Sequence, residues 1–562
     1  MCGIAGQLAP SPSAGADRSL AETMTRRLAH RGPDGEGIFV DGPCALGHRR
    51  LSIVDLEGGA QPMSEAATGL TLSFNGEIYN FPLLKERLEG LGHRFRTRCD
   101  TEVILKAWAQ WGPAAVRQLK GMFAFALWDA RIQRLFLVRD RLGKKPLYYA
   151  SLPDGGFVFA SELKSFAGLD GLKREIDSQA LVDYFAYGYI PDPRSIYRGV
   201  HKLPPAHTLS LAPGEAPRLE RYWDVPDDLD APPAGGAGLE EAFLERFDNA
   251  VARRLLSDVP LGAFLSGGVD SSAVVASLAG QSAGSVKSFC IGFSDPEADE
   301  SAYAQQVADR YGTDHSVDRV DPDAFDLIDQ LAHIYDEPFG DNSALPTYQV
   351  CQAARQRVTV ALSGDGGDEA LAGYRRYAFH WREERLRRLL PSGVRKPLFG
   401  VAARLYPKLD WAPRFLRAKT TFAEMAMDEA EAIFQGVSVM DGPAAMGLLS
   451  PDVVQGLAGY DPVDPIREAL GRCPYRDSLA RVQYADLSTW LAGGILTKVD
   501  RASMAVSLEV RAPLLDTDLL AWCFALPPDA KIDGAQGKAL LKRSQENRLP
   551  RDVLYRRKQG FS

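Results

Sequence analysis

The chain has 562 residues, which is too long for a single hydrophobic core and predicts two or more domains. Hydrophobic residues make up 45% and charged residues 25% of it, which is typical of a globular protein and excludes a disordered or fibrous one. The formal net charge of −8 argues against nucleic acid as a partner, and no apolar run is long enough to cross a membrane. The seven cysteines include no CxxC pair, so we expect neither disulfides nor a zinc site, and the lack of a leader favours a cytoplasmic location.

The first part of the chain, residues 1–223, is predicted to consist mainly of strands with interleaved helices. LTLSFNGEIYNF (70–81) and RLFLVRD (134–140) are rich in β-formers and are bounded by Gly, Pro and Asp. FPLLKERLEGLG (81–92) and TEVILKAWAQWG (101–112) have helical spacing. This mixture favours a layered α+β domain.

A composition break follows at VPDDLDAPPAGGAGLEE (225–241), where acidic residues, prolines and a Gly/Ala run leave no face to bury. We therefore predict an exposed linker over residues 224–240 between two domains, 1–223 and 241–562.

Apolar strands alternate with helices in the second part of the chain. VPLGAFL (259–265), VKSFCIGF (286–293) and RVTVAL (357–362) are predicted strands, and AVVASLAG (273–280) and SAYAQQVADRYG (301–312) are predicted helices. Such alternation indicates a parallel, doubly wound sheet. From about residue 374 the chain is predicted to be largely helical, with the basic segment HWREERLRRLL as a solvated helix face.

Cys2 is a candidate nucleophile. If Met1 is excised, the thiol and the free α-amine lie on the same residue, and that amine titrates at about 7.7–8.0 when unperturbed, so it can take the thiol proton. A thiolate that attacks an amide also needs oxyanion donors, and Asn75 and Gly76 in FNGEIYN offer a side-chain amide and a backbone amide. Arg50 and Asp100 are an arginine and a carboxylate of the kind that clamps an α-amino acid. Taken singly, NGE is also compatible with a hairpin turn, and Asp100 with a helix N-cap.

Six segments in order resemble the class II glutamine amidotransferase domain, an N-terminal-nucleophile (Ntn) fold: MCGIAG, HRGPDG, HRRLSIVD, FNGEIYN, CDTEV and RDRLGKKPLYY. The resemblance spans nearly all of residues 1–223. It implies that Cys2 attacks the side-chain amide of glutamine while Asn75 and Gly76 hold the oxyanion. It further implies a glutamine site formed by Arg50, Leu51, Ser52, Ile53, Val54, Glu77 and Asp100.

SGGVDSS (266–272) follows a predicted strand and precedes a helix. Its glycines let the backbone approach an anion, and its serine hydroxyls and the helix N-terminus supply donors. Asp270 among phosphate donors calls for a bridging divalent cation. SGDGGDE (363–369) also follows a predicted strand, so both loops are expected at the carboxyl edge of one sheet. Neither loop is a Walker A motif or GxGxxG.

FLSGGVDSS and ALSGDGGDE resemble the signature loops of the asparagine synthetase family, which has an ATP-pyrophosphatase fold and makes an acyl-adenylate. The resemblance implies that Mg²⁺ is held by Asp270 and Asp368, and that Asp365 helps to form the adenylate or handles ammonia. In GKALLKRS it implies that Lys538 stabilises the reacting phosphates, whereas a surface helix lysine is the alternative. The implied ATP site consists of Leu265, Ser266, Gly267, Gly268, Val269, Asp270, Ser271, Ser272, Ile291, Ser363 and Gly364.

Two departures accompany this resemblance. Lys542 stands where relatives often have Arg, which removes a bidentate contact. The chain stops at RRKQGFS (556–562), where relatives usually continue, so a C-terminal cover over the synthetase site is expected to be missing.

The sequence thus predicts an α+β Ntn glutaminase sandwich followed by an α/β doubly wound ATP-pyrophosphatase domain with a helical C-terminal part. The predicted function is asparagine synthesis from ATP, aspartate and glutamine, with Mg²⁺ as cofactor. Alternatives are amidation of another carboxylate (a sugar acid, a peptide or a lactam precursor), a plain amidohydrolase, and a non-catalytic interaction protein. By analogy with relatives, a second copy of the chain is a candidate partner.

Overall fold

Two six-stranded antiparallel sheets form the first part of the molecule. The computed structural model describes residues 1–226, 238–297, 299–319, 327–407 and 418–556. The strands of the first part are β1 (Gly3–Leu8), β2 (Gly35–Asp41), β3 (Cys44–Arg50), β4 (Met63–Glu65), β5 (Leu70–Ile78), β6 (Gly121–Asp129), β7 (Arg134–Arg139), β8 (Tyr148–Ser151), β9 (Phe157–Ala160), β10 (Val200–Lys202), β11 (His207–Leu211) and β12 (Arg218–Arg221). Its helices are α1 (Arg18–Arg26), α2 (Phe81–Gly90), α3 (Asp100–Trp111) and α4 (Ser178–Tyr187).

The strand orders are β10-β8-β9-β1-β3-β2 and β12-β11-β7-β6-β5-β4. Strand β6 explains the layering, since every one of its residues is buried. Phe123 and Phe125 pack in the cluster that contains residues of α2 and α3, whereas Ala124 and Ala126 pack in the cluster between the two sheets. Because strand side chains alternate between faces, burial on both faces places β6 between a sheet and a helical layer. The predicted α+β sandwich is confirmed.

A five-stranded parallel sheet forms the centre of the second part. Its strands are β13 (Leu261–Phe264), β14 (Lys287–Gly292), β15 (Asp314–Arg319), β16 (Val360–Leu362) and β17 (Glu509–Arg511). The order β15-β14-β13-β16-β17 reverses direction between β13 and β16. Ligands of open α/β sheets bind beyond the carboxyl ends of the strands at such a reversal. The loops SGGVDSS and SGDGGDE follow these two strands, so the sheet order places them side by side.

The helices around and after this sheet confirm the predicted doubly wound sheet with a helical C-terminal part. They are α5 (Leu239–Ala252), α6 (Val269–Gln281), α7 (Ser301–Tyr311), α8 (Ile328–Tyr335), α9 (Ala344–Arg355), α10 (Gly367–Ala370), α11 (Arg375–Arg387), α12 (Ser392–Leu405), α13 (Ala418–Ala426), α14 (Glu429–Val437), α15 (Gly442–Gly447), α16 (Pro451–Gly456), α17 (Asp464–Arg472), α18 (Ser478–Asp486), α19 (Thr497–Met504), α20 (Thr517–Ala525), α21 (Pro528–Lys531), α22 (Ala539–Ser544) and α23 (Arg551–Tyr555). A π-helical segment, Leu487–Leu496, lies between α18 and α19.

Three features differ from the predictions or escape them. Helix α6 begins at Val269, inside the segment predicted as a loop. Helix α11 buries His380, Glu384 and Arg387, so it is not solvated on every face. Residues 227–237 of the predicted linker, and the last six residues of the chain, lie outside the described residues. In the part of the chain that the structure describes, no helix is both long and apolar enough to span a membrane.

Buried charges join the two parts of the molecule. The Arg31 guanidinium contacts the carboxylate of Asp500 in α19 at 2.8 Å, and Lys145 Nζ lies 3.1 Å from the same carboxylate. Arg511 in β17 lies 3.3 Å from Glu77 in β5. Since unpaired buried charges are strongly destabilising, these pairs fix the second part against the nucleophile end of the first.

The sandwich core predicts the effect of a core truncation. Leu127 in β6 is fully buried, so Leu127→Ala should lower the free energy of unfolding by about 2–5 kcal/mol. Leu83 in α2 is 67% exposed, so Leu83→Ala should change the free energy of unfolding by less than about 0.5 kcal/mol. Urea unfolding followed by tryptophan fluorescence measures both. Equal effects of the two substitutions would contradict the assigned layering.

Candidate active sites

The first site is built around Cys2, immediately before β1. The Cys2 N–H donates to Asn75 Oδ1 at 2.9 Å, and Arg31 Nε donates to the Cys2 carbonyl oxygen at 3.0 Å. The side chain is buried, and this burial raises the pKa of the Cys2 thiol. The thiol is therefore protonated at neutral pH, and it needs a base before it can attack a carbonyl carbon.

Asn75 and Gly76 lie inside strand β5, so the hairpin-turn alternative for NGE is wrong. Asn75 Nδ2 is buried and has no hydrogen-bond partner among the described residues. A Cβ on Gly76 would overlap the carbonyl oxygen of Met122, so only glycine fits between β5 and β6 at this position. The site thus has an unused, buried amide donor next to the cysteine, as an oxyanion hole requires.

Two buried carboxylates face this cysteine. Helix α3 begins at Asp100 with Cys99 as its N-cap, so the N-cap alternative for Asp100 is wrong. Asp100 Oδ2 instead accepts from the backbone N–H of Ile78 at 2.9 Å. Burial raises the pKa of Asp100 to about 6, and burial together with the Asp100 charge raises the pKa of Glu77. A cationic ligand between these carboxylates would favour their ionised forms.

Arg50 is half-buried and fixes the loop that follows β3. Its guanidinium donates to the carbonyl oxygens of Asp55 at 2.7 Å and Leu56 at 2.8 Å. The Ser52 N–H donates to Asp34 Oδ2 at 2.8 Å. Of the predicted residues, those that line the pocket are Cys2, Arg50, Leu51, Ile53, Val54, Gly76, Glu77 and Asp100. Ser52 and Asn75 are not among the residues that line it.

Met1 forms part of the wall of this pocket, which has a volume of about 30 Å³. The Met1 ammonium nitrogen lies 3.0 Å from Glu509 Oε2, and both groups are buried.

From the second part of the chain, Glu509 lines this pocket and Arg511 contacts the pocket residue Glu77. Sequence reasoning did not assign either residue. The segment SLEVRAPLLD contains both residues and was the available signal. Only the folded topology, which brings β17 next to β5, reveals their position.

The second site is a cavity of about 1080 Å³ at the carboxyl ends of β13 and β16. Predicted residues that line it are Leu265, Ser266, Gly268, Val269, Asp270, Ser271, Ile291, Ser363, Gly364, Asp365, Asp368 and Lys538. Gly267 packs instead against α7, where a Cβ would come within 2.7 Å of the Ala304 nitrogen, and it has a φ of +72°. Ser272 is fully buried behind the loop.

The SGGVDSS loop is shaped by its own serines. Ser266 Oγ and Ser271 Oγ are 3.1 Å apart, and the Ser271 hydroxyl donates to the carbonyl oxygen of Gly268 at 3.2 Å. The loop leads into the N-terminus of the 13-residue helix α6, whose first N–H groups have no partner within the helix. This geometry suits an anionic ligand such as a phosphate group.

Lys538 connects the two acidic loops. Its Nζ contacts Asp270 and lies 2.9 Å from Asp368, and these carboxylates raise the pKa of the Lys538 ammonium. The side chain is buried, so the alternative of a surface helix lysine is wrong. Burial also raises the pKa of the nearby Asp365.

The carboxylates of this cavity can bind a hard cation such as Mg²⁺ only if a ligand supplies further oxygen atoms. In the described ranges, no cluster of three or more His, Cys, Asp or Glu side chains is arranged to hold a metal. Asp270 and Asp368 do converge on one point, as their shared contact with Lys538 shows. Two carboxylates completed by phosphate oxygens are a usual environment for Mg²⁺, so these residues fit the ion together with a nucleotide.

Further cavity residues were not predicted. Lys498 in α19 donates from Nζ to Asp341 Oδ2 at 3.0 Å and to Ser343 Oγ at 2.6 Å. Arg556 Nη2 donates to the Gly267 carbonyl oxygen at 3.2 Å. Lys542 Nζ donates to Gln536 Oε1 at 3.3 Å and lies 5.9 Å from the centre of the Tyr555 ring. The motif EPFGDNSALPTY contains Asp341 and Ser343, but only the fold brings it to Lys498.

Comparison with known proteins gives two matched regions. A family model described as "Glutamine amidotransferase domain" matches residues 1–223, and one described as "Asparagine synthase" matches residues 242–562. The two regions define the class of ATP-dependent glutamine amidotransferase ligases.

Three relatives make the assignment narrower. Glutamine-hydrolyzing asparagine synthetase 1 of Bacillus subtilis (strain 168) is 33% identical over 569 residues, which cover 100% of this chain and 87% of the relative. A putative glutamine-hydrolyzing asparagine synthetase of Mycobacterium tuberculosis (strain CDC 1551 / Oshkosh) is 34% identical with the same coverage. Putative glutamine-hydrolyzing asparagine synthetase 2 of Methanocaldococcus jannaschii is 35% identical and covers 86% of this chain and 94% of the relative. The chain belongs to the asparagine synthase family, and its reaction is a glutamine-dependent amidation that uses ATP.

The position of Lys538 depends on a glycine and gives a testable prediction. A Cβ on Gly537 would overlap the carbonyl oxygen of Ala372, so Gly537→Ala should displace Lys538 and reduce ATP-dependent amidation by roughly 100-fold. Glutamine hydrolysis should persist, because the first site is separate. Gly471→Ala in α17, where a Cβ meets open space, is the control. Full amidation by Gly537→Ala would show that this backbone approach does not position the lysine.

Proposed function

We propose that the chain is a glutamine-hydrolysing asparagine synthetase. It converts ATP, aspartate and glutamine into asparagine, AMP, pyrophosphate and glutamate. In this proposal residues 1–223 release ammonia, residues 224–240 form the link, and residues 241–562 activate the acceptor. The observation that carries it is the presence, in one chain, of Cys2 beside the unused amide of Asn75 and of a cavity whose acidic loops meet at Lys538. The relatives are named asparagine synthetases, which supports aspartate as the acceptor.

Cys2 is the proposed nucleophile. After excision of Met1, the α-amine of Cys2 takes the thiol proton, and the sulfur attacks the amide carbon of glutamine. Asn75 Nδ2 and the Gly76 N–H stabilise the oxyanion while the α-ammonium of Cys2 gives its proton to the amide nitrogen, which leaves as ammonia. Water then hydrolyses the thioester, which releases glutamate and restores the thiol. Burial of Cys2, which raises the pKa of the thiol, supports the need for such a built-in base.

The remaining residues of the first pocket orient glutamine in this proposal. Arg50 pairs with the α-carboxylate of glutamine, and Glu77 and Asp100 hold its α-ammonium. Backbone groups of residues 51–54 complete the site. The charges support this arrangement. One pocket is lined by Arg50, which can pair with a carboxylate, and by two carboxylates, which can pair with an ammonium group, and glutamine carries both groups.

The second site activates the acceptor. The β-carboxylate of aspartate attacks the α-phosphorus of ATP, and pyrophosphate leaves toward the SGGVDSS loop and the N-terminus of α6. Lys538 balances the negative charge on the phosphates. Asp365 helps to form the acyl-adenylate or handles the incoming ammonia. Ammonia then displaces AMP to give the amide.

Mg²⁺ is part of the proposal. Asp270 and Asp368 would hold it, and when bound it neutralises phosphate charge. The contact of both carboxylates with one lysine supports this assignment, because it places them around a single cation position.

The route of ammonia is supported by an apolar cluster between the sites. Leu51, Ile53 and Met122 of the first part pack with Val360 of β16 and Met504 of α19. A neutral ammonia molecule crosses such surroundings without being protonated, whereas water would convert most of it to ammonium near neutral pH.

One observation favours a second candidate, amidation of a larger carboxylate. Small-molecule sites are typically about 300–1,000 Å³. The cavity of about 1080 Å³ exceeds this range, which favours a larger set of ligands than ATP and aspartate. A sugar acid, a peptide carboxylate or a lactam precursor is therefore the alternative acceptor.

Product identification tests the function. With ATP, Mg²⁺, aspartate and glutamine labelled with ¹⁵N in the side-chain amide, we expect labelled asparagine and AMP in equal amounts. Parallel reactions contain a sugar acid or a peptide in place of aspartate. Label that appears only in one of those products supports the alternative, and ADP in place of AMP contradicts both.

Cys2→Ala separates the two halves of the reaction. It should abolish amidation from glutamine and leave amidation from added ammonium chloride within about twofold of the wild type, because only the nucleophile is removed. Cys44→Ala, which alters another buried thiol, is the control and should keep both activities. Loss of the ammonia-dependent reaction in Cys2→Ala would contradict the assigned role.

A further inference from the structure

Arg511 belongs to the second part of the chain, but its side chain contacts Glu77, which lines the proposed glutamine pocket of the first. The residue is fully buried, and its Nη2 donates to Glu77 Oε2 at 3.3 Å. Its Nε donates to Glu509 Oε1 at 2.6 Å. The remaining nitrogen, Nη1, donates to the carbonyl oxygens of Arg254 at 2.7 Å and Leu256 at 2.8 Å. Contacts on three sides hold the planar guanidinium in one orientation.

Arg511 opposes a net rise in the pKa of Glu77. Burial, Asp100 in α3 and Glu509 in β17 raise this pKa well above its usual value, whereas Arg511 and the amino-terminal ammonium lower it. Glu77 Oε1 has no hydrogen-bond partner in the described part of the chain. One oxygen of the carboxylate is thus held by Arg511, and the other is left for a ligand in the pocket that Glu77 lines.

The backbone of Arg511 serves the other site. Strand β17 pairs with β16, and the Ser363 N–H donates to the Arg511 carbonyl oxygen at 2.9 Å. Ser363 is the first residue of the SGDGGDE loop and lines the ATP cavity. One residue therefore contacts the glutamine pocket through its side chain and the nucleotide loop through its main chain.

We propose that Arg511 is a positioning residue for glutamine: its guanidinium holds one oxygen of Glu77 and so orients the other toward the α-ammonium of the substrate. The inference rests on the proposed function, in which Glu77 holds that ammonium. The synthetase half thereby completes the glutaminase site without touching the reacting atoms. Without the guanidinium, the Glu77 carboxylate loses its hydrogen-bond partner and a charge that lowers its pKa, so it becomes a poorer partner for a cation.

The test compares Arg511→Met with Arg511→Lys. Arg511→Met should raise the KM for glutamine by roughly 10-fold or more and change kcat much less, because a buried charge loses its partner at the binding step. Its KM should fall again as the pH rises, since alkaline pH ionises Glu77. Arg511→Lys retains a positive charge and should recover part of the affinity. Ammonia-dependent amidation should stay within about twofold, because the Ser363 contact uses the main chain.

A double-mutant cycle completes the test. The single variant Glu77→Gln should have a raised KM for glutamine. In the double variant with Arg511→Met, the KM should no longer depend on pH, because the titrating carboxylate is absent. The effects of the two substitutions should be strongly non-additive, because both remove the same contact. Additive effects, or a wild-type KM in Arg511→Met, overturn the proposal. An equal loss of glutamine-dependent and ammonia-dependent amidation in Arg511→Met also overturns it, since Arg511 would then only support the fold.

Failure of the proposed function gives a different result. A wild-type protein that does not hydrolyse glutamine at all contradicts the assigned glutaminase, whatever Arg511 does. A wild-type protein that hydrolyses glutamine with normal affinity, together with unchanged Arg511 variants, contradicts the positioning role alone.

Discussion

The molecule depends on a buried guanidinium at the junction of its two parts. Arg31 has no exposed surface, and it binds the Cys2 carbonyl oxygen at 3.0 Å, Glu162 at 2.7 Å and Asp500 at 2.8 Å. Removal of one partner from such a buried pair typically costs about 3–5 kcal/mol. The cysteine backbone is therefore anchored to a helix of the other part, and the first site has its geometry only when both parts are assembled.

The second constraint is the order of strands in the parallel sheet. Parallel strands end at one edge, so β13 and β16 bring two loops that are far apart in sequence to the same cavity. Strand β17 then lies on the far side of β16, where Glu509 lines the first pocket and Arg511 contacts Glu77. A single sheet thus supplies residues to both sites, and its central strands determine the distance between them.

The sequence predicted most of the fold because its local signals agree with its tertiary contacts. The sequence was sufficient to predict Cys2, Asn75 and Gly76 as site residues, because each belongs to a short motif with its own chemistry. The start of α6 was predicted too late, since Gly, Asp and Ser are weak helix formers and burial of Ser271 and Ser272 overrides that preference. Arg511 could not be predicted from the sequence, because its partner Glu77 lies 434 positions away in the chain and no local pattern indicates that pairing.

Lys538 between Asp270 and Asp368 has a consequence for the electrostatics of the cavity. Two carboxylates that converge in a partly enclosed space repel each other, and the ammonium group acts as an internal counterion that reduces this repulsion. The lysine therefore joins the SGGVDSS and SGDGGDE loops electrostatically, although they are far apart in the sequence.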